Sequence, residues 1–237
     1  MKYLIVGLAR NIEHCWQETK RSLQKIEEAC GNDCVSLIVE SNSSDKTVAL
    51  CVEWSGQNRY FMPLGNLNEH VRTKRIAACR NEYMQFFENN GFFDSHDYLI
   101  VVDLDTSLAI EDDFKTQLSS CFVRDDWDAI ASNRRGRYYD IWALRSAALG
   151  CTFDCWEMAN KHRDVSYVRR FQTVICPKLA WIPCESAFGC MAIYKTKAIK
   201  GRRYDGSPTC EHVSFNMGLR MFINPEFISG GECTEHL

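Results

Sequence analysis

A chain of 237 residues with 46% hydrophobic residues and a formal net charge of −3 can bury one large core or two small ones. Its near balance of charge excludes a general attraction to nucleic acid or to an anionic membrane. No apolar run reaches the length that spans a bilayer.

The opening Met1-Lys2-Tyr3-Leu4-Ile5-Val6-Gly7 is too short for an export-signal core and reads as a first strand over residues 2–8. Arg10, Asn11 and Glu13 follow, then a helical pattern from Ile12 to Ala29 with Trp16, Leu23 and Ile26 on one face. Val35–Val39 is a second strand that ends in Glu40-Ser41-Asn42-Ser43-Ser44-Asp45, with Ser44 or Asp45 as the cap of the next helix. A third strand covers Arg59–Met62, and a long helix from Glu69 to Asn89 carries Arg72, Lys74, Arg75 and Arg80 before Gly91 stops it. Tyr98–Val102 is then one continuous apolar run, the pattern of a parallel strand covered on both faces.

That strand ends in Asp103-Leu104-Asp105. In extended chain, residues i and i+2 point to the same side, so both carboxylates can meet one ligand at the carboxyl end of the strand, where open α/β sheets bind ligands. Paired carboxylates repel and call for a cation. Mg2+ or Mn2+ held between carboxylates and substrate phosphates answers that need; the alternative is a strand that runs into an acidic surface turn.

Beyond Asp105 the pattern gives a helix over Glu111–Phe122, a strand over Ala129–Ser132 and a basic loop over Asn133–Tyr139. Helices over Ile141–Leu149 and Trp156–Phe171 follow, then strands at Trp181–Pro183 and Phe188–Tyr194. Val213–Phe222 reads as a strand leading into an ordered C-terminal arm. The alternation predicts a mostly parallel sheet with helices on both faces. It predicts one domain, with a nucleotide-binding half over 1–105 and a substrate-binding half over 106–237. The 13 cysteines are odd in number and often sit in apolar patterns, as reduced core residues of a cytoplasmic protein do. Cys30/Cys34 and Cys151/Cys155 lack a second pair at zinc-finger spacing.

Individual residues allow competing roles. Arg10 and Asn11, where strand one opens into a helix, can face phosphate or base, or Asn11 can simply cap the helix. Glu40 can accept ribose hydroxyls or be an acidic loop residue. Asn42, Ser43 and Asp45 can line a base or cap, with capping favoured for Asp45. Arg75 and Arg80 offer positive charge to a diphosphate, while at least one of Arg72, Lys74 and Arg75 belongs to solvated surface. Tyr139-Asp140-Ile141-Trp142 sets aromatic faces beside a carboxylate, which suits a sugar; Asp140 is the better site candidate and Trp142 suits the core.

The set Leu8-Ala9-Arg10-Asn11, Glu40–Thr47, Arg75–Asn81, Asp103-Leu104-Asp105, Tyr139–Arg145 and Cys210–Phe215, in this order, resembles nucleotide-sugar glycosyltransferases of the GT-A fold. Within them it is most similar to capsule-associated mannosyltransferases and related viral capsid-protein glycosyltransferases. The resemblance spans nearly the whole chain and implies a Rossmann-like GT-A fold. It also implies Mn2+ or Mg2+ as cofactor, a UDP- or GDP-linked sugar as donor and a glycan or glycoprotein hydroxyl as acceptor. It implies donor contacts at Ala9, Arg10, Asn11, Glu40, Asn42, Arg75, Arg80, Asp103 and Leu104, and metal ligands at Asp103, Asp105 and the late His212. On the acceptor side Glu185, before the small-residue turn Ser186–Cys190, is either a base or nucleophile or a surface-loop glutamate, with Asp205 and Glu211 as rivals, and Asp140 and Arg145 orient the sugar or acceptor; the resemblance leans toward retention of configuration. Two alternatives are a phosphatase of the haloacid-dehalogenase type using Asp103 and Asp105, against which Thr106 and Ser107 stand in the wrong order, and a non-catalytic sugar-binding module.

Overall fold

The computed structural model describes residues 1–105 and 108–230. Strands β1 (Tyr3–Ala9), β2 (Val35–Glu40), β3 (Arg59–Pro63) and β4 (Tyr98–Asp103) alternate with helices α1 (Trp16–Cys30), α2 (Thr47–Trp54), α3 (Arg72–Asn89) and the short α4 (Phe92–Ser95). The elements that follow are α5 (Phe114–Ser120), β5 (Ala129–Asn133), α6 (Cys155–His162), α7 (Ser166–Arg169), β6 (Ile182–Cys184), β7 (Met191–Lys195), α8 (Thr196–Ile199), α9 (Glu211–Asn216) and β8 (Met221–Ile228).

All eight strands join one sheet in the order β3-β2-β1-β4-β7-β5-β8-β6. The sheet is parallel from β3 to β4. It becomes mixed where β7 enters antiparallel to β4 and β5, and where β6 closes the edge antiparallel to β8. The α/β architecture is thus as expected, with the parallel pattern interrupted in the second half.

Period-two alternation divides the apolar strands between two cores. Leu4, Val6, Leu37, Val39, Leu99 and Val101 pack with Tyr83, Met84 and Phe87 of α3. Ile5, Ile38, Ile100 and Val102 pack on the other face with Trp16, Leu23 and Ile26 of α1 and with Trp54 of α2. Each such side chain contributes about 1.5–3 kcal/mol on burial, and helices on both faces are what lets these strands be apolar throughout. Gly91, at φ 68°, follows α3 in the left-handed conformation that glycine tolerates.

Gly7 has a different reason. A Cβ there would lie 2.4 Å from Cγ of Leu104, the residue between the two aspartates. Gly7→Ala is therefore expected to lower stability by about 1–3 kcal/mol through overpacking and to disturb the Asp-Leu-Asp turn. A thermal melt checks it, and an unchanged melting temperature would show that Leu104 has room to move.

The second half departs from expectation in four places. Residues 141–149 are not a helix: the Arg145 N–H donates to Ser186 O (2.7 Å) and the Ser146 N–H to Cys151 O (2.6 Å), pairings that claim groups a helix would use. Over 156–171 the helix breaks into α6 and α7 at Arg163, which is left-handed at φ 52°. Residues 211–216 are helical, and strand β8 begins only at Met221. His212 and Phe215 are both buried, the i, i+3 spacing of a helix face too short to show a period. The helix expected over 111–122 is confined to α5. The twelve described cysteines are free thiols, and no described helix is long and apolar enough to cross a membrane.

Candidate functional site

The carboxyl ends of β1, β2 and β4 open into a cleft at the point where strand order reverses, with β2 and β3 to one side of β1 and β4 to the other. The register sets Leu8 beside Asp103, so the loop after β1 and the Asp-Leu-Asp turn are neighbours. α3 supplies the facing wall.

Two pockets occupy the cleft. The first, about 260 Å³, is lined by Ala9 and Arg10 after β1, by Ser41 after β2, by Arg72, Arg75, Cys79 and Arg80 of α3, and by Asp103, Leu104 and Asp105. The second, about 390 Å³, is lined by Tyr139, Asp140, Trp142, Trp156, Asn160, Phe188, Glu211 and His212. Arg72, Ile76, Arg80 and Asp103 belong to both. Among the described residues, four arginines against two aspartates give the first pocket an excess of positive charge, which suits a polyanion.

Glu40, Asn11 and Asn42 do not line either pocket. Glu40 is buried, and its Oε1 accepts the Ser43 N–H at 2.8 Å. Asn11, left-handed at φ 53°, accepts the Ser44 N–H at Oδ1 (2.8 Å), and its own N–H donates to Ser43 Oγ. Asn42, at φ 60°, closes both amide atoms on the main chain of Leu67 at 3.2 Å. Asparagine tolerates this backbone region and bonds nearby main chain with its short amide. The two asparagines tie the loops after β1, β2 and β3 to one another, while the Glu40 side chain braces its own loop, and together they frame the pocket. The N-cap of α2 is Lys46 rather than Ser44 or Asp45; Asp45 stands one residue earlier, where its carboxylate accepts the N–H of Thr47 at 2.9 Å.

A buried ionic link joins the two pockets. The Arg80 side chain is 5% exposed; its Nε donates to Glu211 Oε1 at 3.1 Å, and its Nη2 lies 3.9 Å from Asp103 Oδ1. The Phe188 and Tyr204 rings lie against the guanidinium, each centroid 5.4 Å from Cζ. His212 stacks on Phe188 with ring centroids 3.9 Å apart. Burial, with the Arg80 charge beside it, holds the His212 imidazole well below its ordinary pKa, so it is neutral. Among the described residues neither of its nitrogens has a hydrogen-bond partner.

The expected metal triad is not assembled. Asp103 and Asp105 line the first pocket, and Asp103 also lines the second together with His212. Among the described residues no group of three or more Asp, Glu, His or Cys could hold a metal. The physical reason is that α9 lays His212 against Phe188, while Arg80 is the cation next to Asp103 and Glu211. Two carboxylates at one strand end still match Mg2+ or Mn2+, which take one or two protein carboxylates and complete their shell with substrate phosphates. The metal fits Asp103 and Asp105 without the histidine.

Of the residues expected on the acceptor side, Asp140 lines the second pocket, where Oδ2 accepts the Gly189 N–H at 3.1 Å. Arg145 lines neither pocket: its Nη2 donates to Asp154 Oδ2 (2.6 Å) and Thr209 Oγ1 (3.0 Å). Glu185 and Asp205 are exposed and also line neither, whereas Glu211 does line the second. Trp142, expected in the core, packs against it half-buried and stacks on Trp156 at 5.0 Å and 16°. Trp156 and Asn160 escaped the sequence reading, although Trp156, Ala159 and Asn160 recur at the i, i+3, i+4 spacing of a helix face. Thr106 and Ser107, on which the phosphatase comparison turned, lie outside the described residues.

No family model matches the chain, and no curated protein matches it in sequence. Solved structures do match. A mannosyltransferase of Pyrobaculum calidifontis, in complex with GDP-Man and Mn2+, aligns over 99% of this chain and 57% of its own, with 12% identity and a TM-score of 0.59. TarS 1-349 of S. aureus, in complex with UDP, aligns over 99% of this chain and 61% of its own, with 14% identity and a TM-score of 0.55. Glucosyl-3-phosphoglycerate synthase of Mycobacterium tuberculosis, in complex with Mn2+, UDP and glucosyl-3-phosphoglycerate, aligns over 97% and 70%, with 12% identity and a TM-score of 0.53. The chain thus spans about 57–61% of the length of the first two. At these identities the likeness is one of fold, and that fold is the GT-A fold of nucleotide-sugar glycosyltransferases.

Proposed function

We propose that this chain is a glycosyltransferase that moves a hexose-type sugar from a UDP- or GDP-linked donor to a hydroxyl of a glycan or glycoprotein, with Mn2+ or Mg2+ as cofactor. The observation that carries the reading is the first pocket: four arginines surround two carboxylates at the ends of parallel strands, in a fold whose solved neighbours hold GDP-Man or UDP and, in two of the three, Mn2+. Residues 1–105 supply most of the donor side and residues 106–237 the sugar and acceptor side. Arg10 and Arg75 bind the diphosphate, Ala9 and Leu104 shape the nucleotide seat, and Asp103 and Asp105 hold the metal. The metal, when bound, neutralises charge that develops on the departing diphosphate. Arg80 keeps Asp103 oriented from behind, and Asp140 contacts the transferred sugar. We further favour retention of configuration, a cytoplasmic site of action in keeping with the free thiols, and kinship with capsule-associated and viral capsid glycosyltransferases.

Incubation with a panel of UDP- and GDP-sugars and Mn2+, read as released nucleoside diphosphate, tests the proposal. Release from at least one sugar nucleotide is expected. Phosphate release from phosphomonoesters instead would make the chain a phosphatase, and nucleotide binding without release would make it a binding module.

A further inference from the structure

We infer that His212 is a specificity-determining residue: its imidazole hydrogen-bonds a hydroxyl of the sugar that enters the second pocket. This role rests on the glycosyltransferase reading and assigns a substrate contact to the histidine that the metal leaves aside.

Packing explains the ring but not its nitrogens. His212, the second residue of α9, is 2% exposed. Phe188 stacks on it at 3.9 Å and 21°, and Tyr204 meets it edge to face at 5.8 Å and 83°. A phenylalanine would fill such a seat without burying polar atoms. Among the described residues neither Nδ1 nor Nε2 has a hydrogen-bond partner. Glu211 Oε1 lies 3.7 Å from Nε2, beyond hydrogen-bond reach, and already accepts from Arg80 Nε at 3.1 Å. Unpaired buried donors and acceptors weaken a fold and are rare for that reason. One that borders a cavity gains its partner when a polar ligand arrives.

The cavity lies where a sugar must pass. His212 and Phe188 line the second pocket, which shares Arg72, Ile76 and Arg80 with the donor pocket. A sugar held against His212 therefore adjoins the seat of the diphosphate, as either the transferred sugar or the sugar that accepts it. Stacking covers a face of the imidazole and fixes its plane, while the nitrogens donate and accept at its edge. The ring is thus set before the ligand arrives, which limits the entropy lost on binding.

Chemistry selects a hydroxyl. Burial beside the Arg80 guanidinium keeps the imidazole uncharged, so one nitrogen donates and the other accepts. A hydroxyl also does both and can complete whichever nitrogen it reaches. A phosphate or carboxylate only accepts, an ammonium only donates, and an uncharged ring offers neither a counter-charge.

The test pairs His212→Phe, which keeps a stacked ring and removes both nitrogens, with a set of monodeoxy sugars. UDP- and GDP-hexoses as donors and methyl hexosides as acceptors are compared with their monodeoxy analogues, reading nucleoside diphosphate release. In the wild type one deoxy position should lower kcat/KM by about ten-fold or more, the loss of one buried hydrogen bond. His212→Phe should lose a similar factor on the parent sugar and nothing further on that analogue, the mark of a direct contact. A donor analogue that behaves so places the contact on the transferred sugar, and an acceptor analogue places it on the acceptor. His212→Phe should also melt at the wild-type temperature or above and keep the wild-type Mn2+ dependence, since it removes unpaired buried atoms and no metal ligand. No deoxy effect in the wild type, additive losses at every deoxy position, wild-type kcat/KM in His212→Phe, a lower melting temperature or a weaker Mn2+ response would each overturn the inference. Absence of turnover with every sugar nucleotide in the wild type would instead remove the glycosyltransferase reading and this contact with it, whereas turnover indifferent to His212 removes the contact alone.

Discussion

Arg80→Met is expected to destabilise the protein by about 3–5 kcal/mol, the usual cost of removing one partner of a buried ion pair. Methionine fills similar space but leaves Glu211, itself 5% exposed, as a carboxylate without its guanidinium. Replacing both partners, as in Arg80→Met with Glu211→Leu, should recover much of the loss, because a buried pair exchanged for packed apolar groups is often nearly neutral. Arg80→Lys keeps the charge but not the planar fork that reaches Glu211 through Nε and Asp103 through Nη2. It should fold and still lose turnover. Denaturant melts of the single and double variants measure these differences. A loss below about 1 kcal/mol in Arg80→Met would mean that water or another cation reaches Glu211.

Asp105→Asn is expected to leave the fold intact and cut turnover by about 100-fold or more, since even the outer partners of a metal ligand are worth about 10–100-fold. The substitution keeps shape and removes charge at the strand end. In the metal-free protein two carboxylates one residue apart repel, so the variant should melt at the same temperature or slightly higher. His212→Ala separates the two halves of the site. It removes a ring stacked on Phe188, so its effect should fall on stability rather than on Mn2+ affinity. Steady-state assays across Mn2+ concentrations, with melts of both variants, distinguish these roles. Wild-type turnover in Asp105→Asn would return the Asp-Leu-Asp turn to an acidic surface feature.

The parallel half of the fold was legible because its signals are local and long. The apolar runs of β1, β2 and β4 and the arginine-bearing α3 each carry enough residues to show a period, and the strand-end aspartates follow from them. The second half was less so, because β6 has three residues and α9 six. Arg145 owes its conformation to Ser186, far along the chain. The reach of individual side chains was also hidden. Sequence shows that Asn11, Glu40 and Asn42 stand at strand ends, but the left-handed turns that direct the two asparagines to neighbouring main chain arise only once three loops meet. His212 was expected on a metal because the family resemblance implies a late histidine there; a lone histidine by itself reads as a structural residue. Its stacking on Phe188, and the guanidinium of Arg80 between Asp103 and Glu211, are tertiary facts. Trp156 was the avoidable miss, since its helical spacing to Asn160 was in plain view.

The most direct measurement is a calorimetric titration of UDP and GDP into the protein, with Mn2+ and again with the metal chelated. An arginine-lined pocket closed by two carboxylates predicts that one nucleotide binds with Mn2+ present and at least about ten-fold more weakly without it. Equal affinity with and without metal, or no heat from either nucleotide at millimolar concentration, would contradict the donor site.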